Sequence, residues 1–174
     1  MKKERRNDSE FLKTLVAAEH SSRQKDKIIR WVGNNQERAA ALVQLVLGDD
    51  REISRRASWA LGHIGYDHPE LVRKHLKKII ANLENKNVHE AVIRNSLRML
   101  QKATFTARLQ TAVLDTYFKF VSDTSMPSGI RAFAITVIIR AAGNYPEIKE
   151  ELRKTLFLHP ETLSPAVKAR IRNS

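Results

Sequence analysis

The sequence predicts an all-α chain folded as a right-handed α–α superhelix, with about ten helices in five successive pairs. Three observations lead there. Apolar residues recur at helical spacing along nearly the whole length, with no strand-like alternation beyond a few residues. Glycine and proline are scarce, six and five, and fall mostly at breaks in that pattern, as helix stops and starts do. One apolar signature also returns every 37 to 39 residues.

At 174 residues, the chain is long enough for one domain with a proper core. Residues 1–7 read as a basic N-terminal tail and residues 8–172 as a single domain. The first helix is marked by Phe11, Leu12, Leu15 and Val16. Asp8, Glu10 and Lys13 interrupt that apolar set, so the stretch is not the core of a secretory signal. Breaks follow near Ser21-Ser22, Asn34, Asp49-Asp50, Asp67-His68-Pro69, Asn85-Lys86-Asn87 and Thr104. Further breaks fall at Asp123–Pro127, Tyr145-Pro146 and His159–Pro165. The segments between them are the helices.

The second helix of each pair carries the repeat. Ile53, Ala57, Ala60, Leu61 and Ile64 fall within about 100° of arc at 3.6 residues per turn. Val92, Ser96, Met99, Leu100 and Ala103 occupy the same places 39 positions on. Ile130, Ala134, Val137, Ile138 and Ala141 follow after a further 38, and Val167 and Ile171 mark a short terminal copy 37 later. Ala57, Ser96 and Ala134 are small enough to let neighbouring helices approach closely.

Residues 42–65, LVQLVLGDDREISRRASWALGHIG, combine an apolar first helix, a turn with aspartates and a second helix with arginines and spaced alanines. This unit resembles a HEAT repeat, and the resemblance is recognisable again in 69–101 and 106–142. Ser54 stands where such repeats usually carry arginine, with Arg55 one place on. The resemblance implies a HEAT-like α-solenoid whose second helices line an inner, concave surface, and a chain that works as an interaction scaffold.

On helix 51–65 the side opposite Ile53 carries Arg51, Arg55, Trp59 and Gly62, with Arg56 and His63 at its margin. The repeat shift maps Arg55 onto Arg94 and Trp59 onto Arg98. Adjacent second helices lie about 10 Å apart, which brings Arg55, Trp59, Arg94 and Arg98 into one patch. Arginine forks carboxylate and phosphate, and tryptophan stacks. Arg51, Arg55, Trp59, His63, Arg94 and Arg98 are therefore the candidate binding residues. A purely structural reading competes with this one. Arg55 and His63 sit four residues either side of Trp59, and packing along the indole, worth ~0.5–1 kcal/mol, needs no ligand. Trp31 reads as a core or seam residue, and Tyr117, Phe118 and Phe120 read as core packing. Helix 128–142 is apolar nearly all round, so it expects cover from segment 160–174 or from another chain.

No catalytic constellation is present. The six histidines form no metal-binding pair around a carboxylate, and neither a phosphate-binding glycine loop nor a nucleophile elbow occurs. The absence of cysteine removes thiolate metal sites and suits a reducing compartment, with the cytoplasm as the default. No cofactor is called for, and no window approaches the roughly 18 apolar residues that cross a bilayer. The net charge of +12 favours an acidic protein or peptide, with nucleic acid as the alternative partner. At that alternative's narrow extreme stand the HEAT-like alkylpurine DNA glycosylases, whose concave face carries tryptophans, arginines and an aspartate. Trp59, Arg55 and Arg94 fit such a face. Asp115 falls on the outward side of a first helix, and only Glu90 lies along the stripe.

Overall fold

Polar side chains in the sequence breaks start the helices. Asn35 accepts hydrogen bonds from the backbone N–H groups of Glu37 and Arg38, at 2.9 and 3.0 Å, and Asp50 does the same for Glu52 and Ile53. Ser21, His89 and Thr106 cap three further helices in the same way. Two helices stop at glycines in the left-handed region, Gly33 at φ 49° and Gly143 at φ 53°, where a side chain would be strained. The computed structural model describes residues 2–143 and 145–172, with side chains from residue 8 onward.

The elements are α1 (Lys2–Ala18), α2 (Ser22–Val32), α3 (Gln36–Leu47), α4 (Arg51–Asp67), α5 (Pro69–Val72), α6 (Leu76–Asn82) and α7 (Glu90–Leu100). They continue as α8 (Ala107–Ser122), α9 (Ser128–Ala142), α10 (Pro146–Phe157) and α11 (Pro165–Arg172). Among the described residues there is no strand. The helical backbone of α1 begins at Lys2, within the segment that reads as a tail. The first helix of the third pair is split: a 3₁₀ turn at Arg73–His75 separates α5 from α6.

The helices cluster into two compact units, Met1–Ala103 and Thr104–Ser174. In the first, α1 packs on α3 and α3 on α5 and α6, forming one layer; α2 packs on α4 and α4 on α7, forming the other. Helix α3 lies against α4 and joins the layers. This is the pairwise packing of a helical repeat. In the second unit α8 pairs with α9, α10 lies beside α8 and α9, and α11 packs on α9.

The repeated stripe forms the core as its period predicts. Ile53, Ala57, Ala60, Leu61, Ile64, Val92, Ser96, Met99, Leu100 and Ala103 are buried, as are Ile130, Ala134, Val137, Ile138 and Ala141. Each large side chain among them contributes roughly 1.5–3 kcal/mol by leaving water. In the terminal copy Val167 is buried and Ile171 half-buried.

Helix α9 is covered by the end of its own chain. Leu163 and Val167 are buried, α11 lies on α9, and Arg131 reaches across. Its Nη1 donates to the carbonyl and hydroxyl oxygens of Thr162, at 3.1 and 3.2 Å, while its Nε donates to the carbonyl of Val121 at 3.2 Å. Phe133, Thr136 and Ile139 remain half-buried on the far side of α9.

Two readings of the sequence need correction. Gly62 is not on an open face: it is buried against α7, where an added Cβ would meet the Asn95 carbonyl oxygen at 2.8 Å. Phe118 is not core. Tyr117 and Phe120 are buried and stacked, centroids 5.9 Å apart, but Phe118 is one residue, about 100° of helix, away from Tyr117 and stays half-exposed.

Candidate functional site

Helix α4 has three sides with different tasks. Ile53, Ala57, Ala60, Leu61 and Ile64 face the core. Ser58, Gly62 and Gly65 face α7, where Asn95 donates its side-chain N–H to the Ser58 hydroxyl at 3.0 Å and Met99 fills the space over Gly65. Ser54 donates its hydroxyl to the carbonyl of Val46 at 2.6 Å and so binds α4 to α3, a short contact that an arginine could not make. The third side, Arg51, Arg55, Trp59, His63 and Tyr66, remains open between α2 and α7.

Trp59 is half-buried at the centre of this side. Its ring neighbour is His20, with centroids 5.1 Å apart and planes tilted by 51°, and the Lys25 ammonium lies 5.6 Å from the indole centroid. Lys25 also pairs with Asp26 at 2.9 Å. Further along, Tyr66 takes two cations: the Arg98 guanidinium carbon lies 5.6 Å from its ring centroid and the Lys102 ammonium 5.3 Å. Among the described residues no carboxylate pairs with either cation. The Nε of Arg98 is buried without a hydrogen-bond partner.

The two ends of the side differ in charge balance. Arg55 holds Glu52 through two hydrogen bonds, Nε to Oε2 at 2.8 Å and Nη2 to Oε1 at 2.6 Å, and Arg56 Nε adds a third at 2.6 Å. Those hydrogen bonds lower the Glu52 carboxyl to about 2. Arg56 also donates to the Ala17 carbonyl at 2.8 Å, fixing α4 to the end of α1. Arg51 and Arg94 are exposed and enter no ion pair among the described residues.

Both imidazoles of the face favour the neutral form. Partial burial lowers His63, the Arg98 and Lys25 charges lower it further, and Asp67 and Asp26 oppose them. Burial, then Arg55 and Arg56, lower His20 against Glu52. His63 thus joins the two aromatic–cation clusters electrostatically. The candidate residues Trp59, His63 and Arg98 share one face, Arg55 is engaged by Glu52, and Arg51 and Arg94 are exposed on α4 and α7.

Four participants escaped the sequence. Lys102 was findable, because it is the 39-residue counterpart of His63. Tyr66 was findable seven residues after Trp59 on the same helix. His20 and Lys25 belong to the first pair, whose repeat pattern is weak, so no register pointed to them. Among the described residues no group of three histidines, aspartates or glutamates could hold a metal ion.

Small residues at the α4–α7 seam, aspartate in the turn before α4 and two-layer pairing are the features of one repeat type, and the sequence matches the HEAT repeat domain over residues 12–174. The chain belongs to the HEAT repeat family. No curated protein and no solved structure matches it. HEAT repeats are helical interaction modules. Among the described residues, no helix of this HEAT repeat protein is long and apolar enough to cross a membrane.

Proposed function

We propose that this HEAT repeat protein is a non-catalytic binding module that takes an acidic segment of a partner protein on the α2–α4–α7 face of its first unit. The observation that carries the reading is Tyr66 with Arg98 and Lys102 beside it and, among the described residues, no carboxylate on either cation. A partner carboxylate supplies the missing countercharge, forked by the guanidinium, while the open part of Trp59 offers apolar contact. Glu52 pre-sets Arg55, so less side-chain freedom is lost when it meets a ligand.

Nucleic acid is the second reading, favoured by the net charge of +12. Salt separates the two. Neutralising many phosphates releases counterions, so affinity for DNA falls by about a thousandfold or more between roughly 50 and 200 mM salt. An acidic peptide anchored partly by Trp59 loses less. The test is fluorescence anisotropy with labelled acidic peptides and with single- and double-stranded DNA at both salt concentrations. Peptide binding that disappears in Arg98→Glu/Lys102→Glu supports the reading. Peptide binding unaffected by that double variant overturns it, and steeply salt-dependent DNA binding moves the assignment to nucleic acid.

A further inference from the structure

The second unit carries a surface of opposite character. Helices α8 and α10 flank an open groove of about 980 Å³. Leu114 and Phe118 of α8 and Ile148 of α10 line it, with Leu158 just beyond the end of α10. Leu158 is 72% exposed and continues the strip of Leu114, Phe118 and Ile148, so it is part of a contiguous apolar patch and not a lone surface leucine. The carboxylates Asp115, Glu147 and Glu151 edge the apolar strip, all exposed, and none pairs with a cation among the described residues. Lys119 is the one cation among the groove's described lining residues. In a chain of net charge +12, this is a local reversal of sign.

We infer that this groove receives a basic amphipathic helix of a partner protein. Two features select a helix. The backbone groups along α8 and α10 are used within those helices, so the groove offers no free edge to an extended strand, whereas an incoming helix satisfies its own backbone. The lining residues also run from Glu147 to Leu158, along the 12 residues of α10. At about 1.5 Å per residue that is roughly 18 Å, three helical turns. Apolar residues at i, i+3 or i+4, and i+7 of the incoming helix reach Leu114, Phe118, Ile148 and Leu158. Lysines and arginines bordering that stripe meet Asp115, Glu147 and Glu151, which selects a basic helix over an acidic one.

The full chain tests this against three labelled synthetic peptides of about four turns. One is a leucine–lysine amphipathic helix, one has the same composition shuffled so that no apolar face forms, and one is the leucine–glutamate counterpart. The expected result is binding of the first, with the shuffled peptide weaker by about tenfold or more. Leu158→Lys and Asp115→Lys/Glu151→Lys, all at exposed positions, each weaken it by about tenfold or more and leave the circular dichroism spectrum unchanged. Arg98→Glu/Lys102→Glu, on the first unit, leaves affinity for the leucine–lysine peptide unchanged, so this inference and the proposed function fail separately. Equal affinity for the shuffled peptide, or undiminished affinity in the groove variants, overturns the inference. A dimer in sedimentation that Leu158→Lys dissociates also overturns it, because a second copy is then the occupant.

Discussion

Gly62 and Asn95 meet at backbone distance: a Cβ on Gly62 would lie 2.8 Å from the Asn95 carbonyl oxygen and 3.0 Å from the Asn95 Cβ. Helix α7 therefore rests on the peptide backbone of α4, and the Asn95–Ser58 hydrogen bond closes the seam next to the contact. In Gly62→Ala the obstacle is backbone, which cannot rotate aside. The variant gains about 1 kcal/mol of helix propensity and loses more to overpacking, roughly 1–3 kcal/mol. The expected outcome is a lower urea midpoint. Gly65→Ala meets the Cγ and Sδ of the buried Met99 and the Cγ2 of Val72, all side-chain atoms, so it too should lower the midpoint, by an amount set by how far Met99 shifts. A Gly62→Ala protein as stable as the parent would refute the close approach.

His63 reports on the binding face through its titration. Its midpoint lies below the ordinary histidine value because burial, Arg98 and Lys25 disfavour the imidazolium. The unfolded chain then binds more protons than the folded one as pH falls through about 6.5. The stability contribution is complete above that value and is lost below it. Nuclear magnetic resonance titration of the imidazole should give a midpoint under 6.5, and Arg98→Ala should raise it. No shift in Arg98→Ala would remove Arg98 from the neighbourhood of His63.

Glu52 gives the opposite end of the pH scale. Its folded carboxyl is lowered from 4.5 to about 2 by the Arg55 and Arg56 hydrogen bonds. A depressed carboxyl stabilises the fold above its unfolded value, and that contribution is lost as pH falls from about 4.5 towards 2. Carboxyl titration should place Glu52 near 2. Arg55→Ala should raise the midpoint further than Arg56→Ala, since Arg55 donates two of the three hydrogen bonds.

The core of this protein was legible because periodicity is a property of one helix alone. Ile53, Val92 and Ile130 each open a five-residue stripe that is buried throughout. The bearing of neighbouring helices is not a property of one helix. A helical wheel puts Gly62 on the polar arc of α4, and only the position of α7 shows that this arc includes a contact. The available clue was the run of small residues on that arc, Ser54, Ser58, Gly62 and Gly65, at spacings of four, four and three. Trp59 illustrates a second limit. Its place on the open side of α4 followed from spacing, but its partners His20 and Lys25 come from the α1–α2 junction, more than thirty positions earlier. The α8–α10 groove was least legible, because an unfilled space between helices leaves no pattern in either sequence. Phe118 alone hinted at it, as an aromatic out of phase with Tyr117 and Phe120.

Arg131 holds the end of the second unit in place. It is 4% exposed, and its three hydrogen bonds go to neutral oxygens of Val121 and Thr162. Truncation to alanine removes all three and unties the segment that covers α9. A loss of about 2–4 kcal/mol is expected, with faster amide exchange concentrated in residues 160–172. Arg131→Lys restores little, since one ammonium does not reproduce a fork aimed at two chain segments. Exchange that accelerates uniformly across the second unit instead would show that α11 does not depend on this tie.

Tyr117 is the reverse case, a buried polar atom that the fold does not use. The side chain is fully buried, its hydroxyl has no hydrogen-bond partner among the described residues, and burial pushes the phenol far above its ordinary value. An unsatisfied buried hydroxyl costs about 1–3 kcal/mol relative to water, whereas the ring stacks on Phe120 with planes 17° apart. Phenylalanine keeps the ring and deletes the unsatisfied group. Tyr117→Phe should therefore be as stable as the parent or more stable by about 1 kcal/mol in urea unfolding. Tyr117→Ala, which also removes the ring, should lose about 3–5 kcal/mol. A Tyr117→Phe protein destabilised by more than about 1 kcal/mol would mean that the hydroxyl is bonded in solution, and the core of the second unit would then contain a polar contact between α8 and a neighbour.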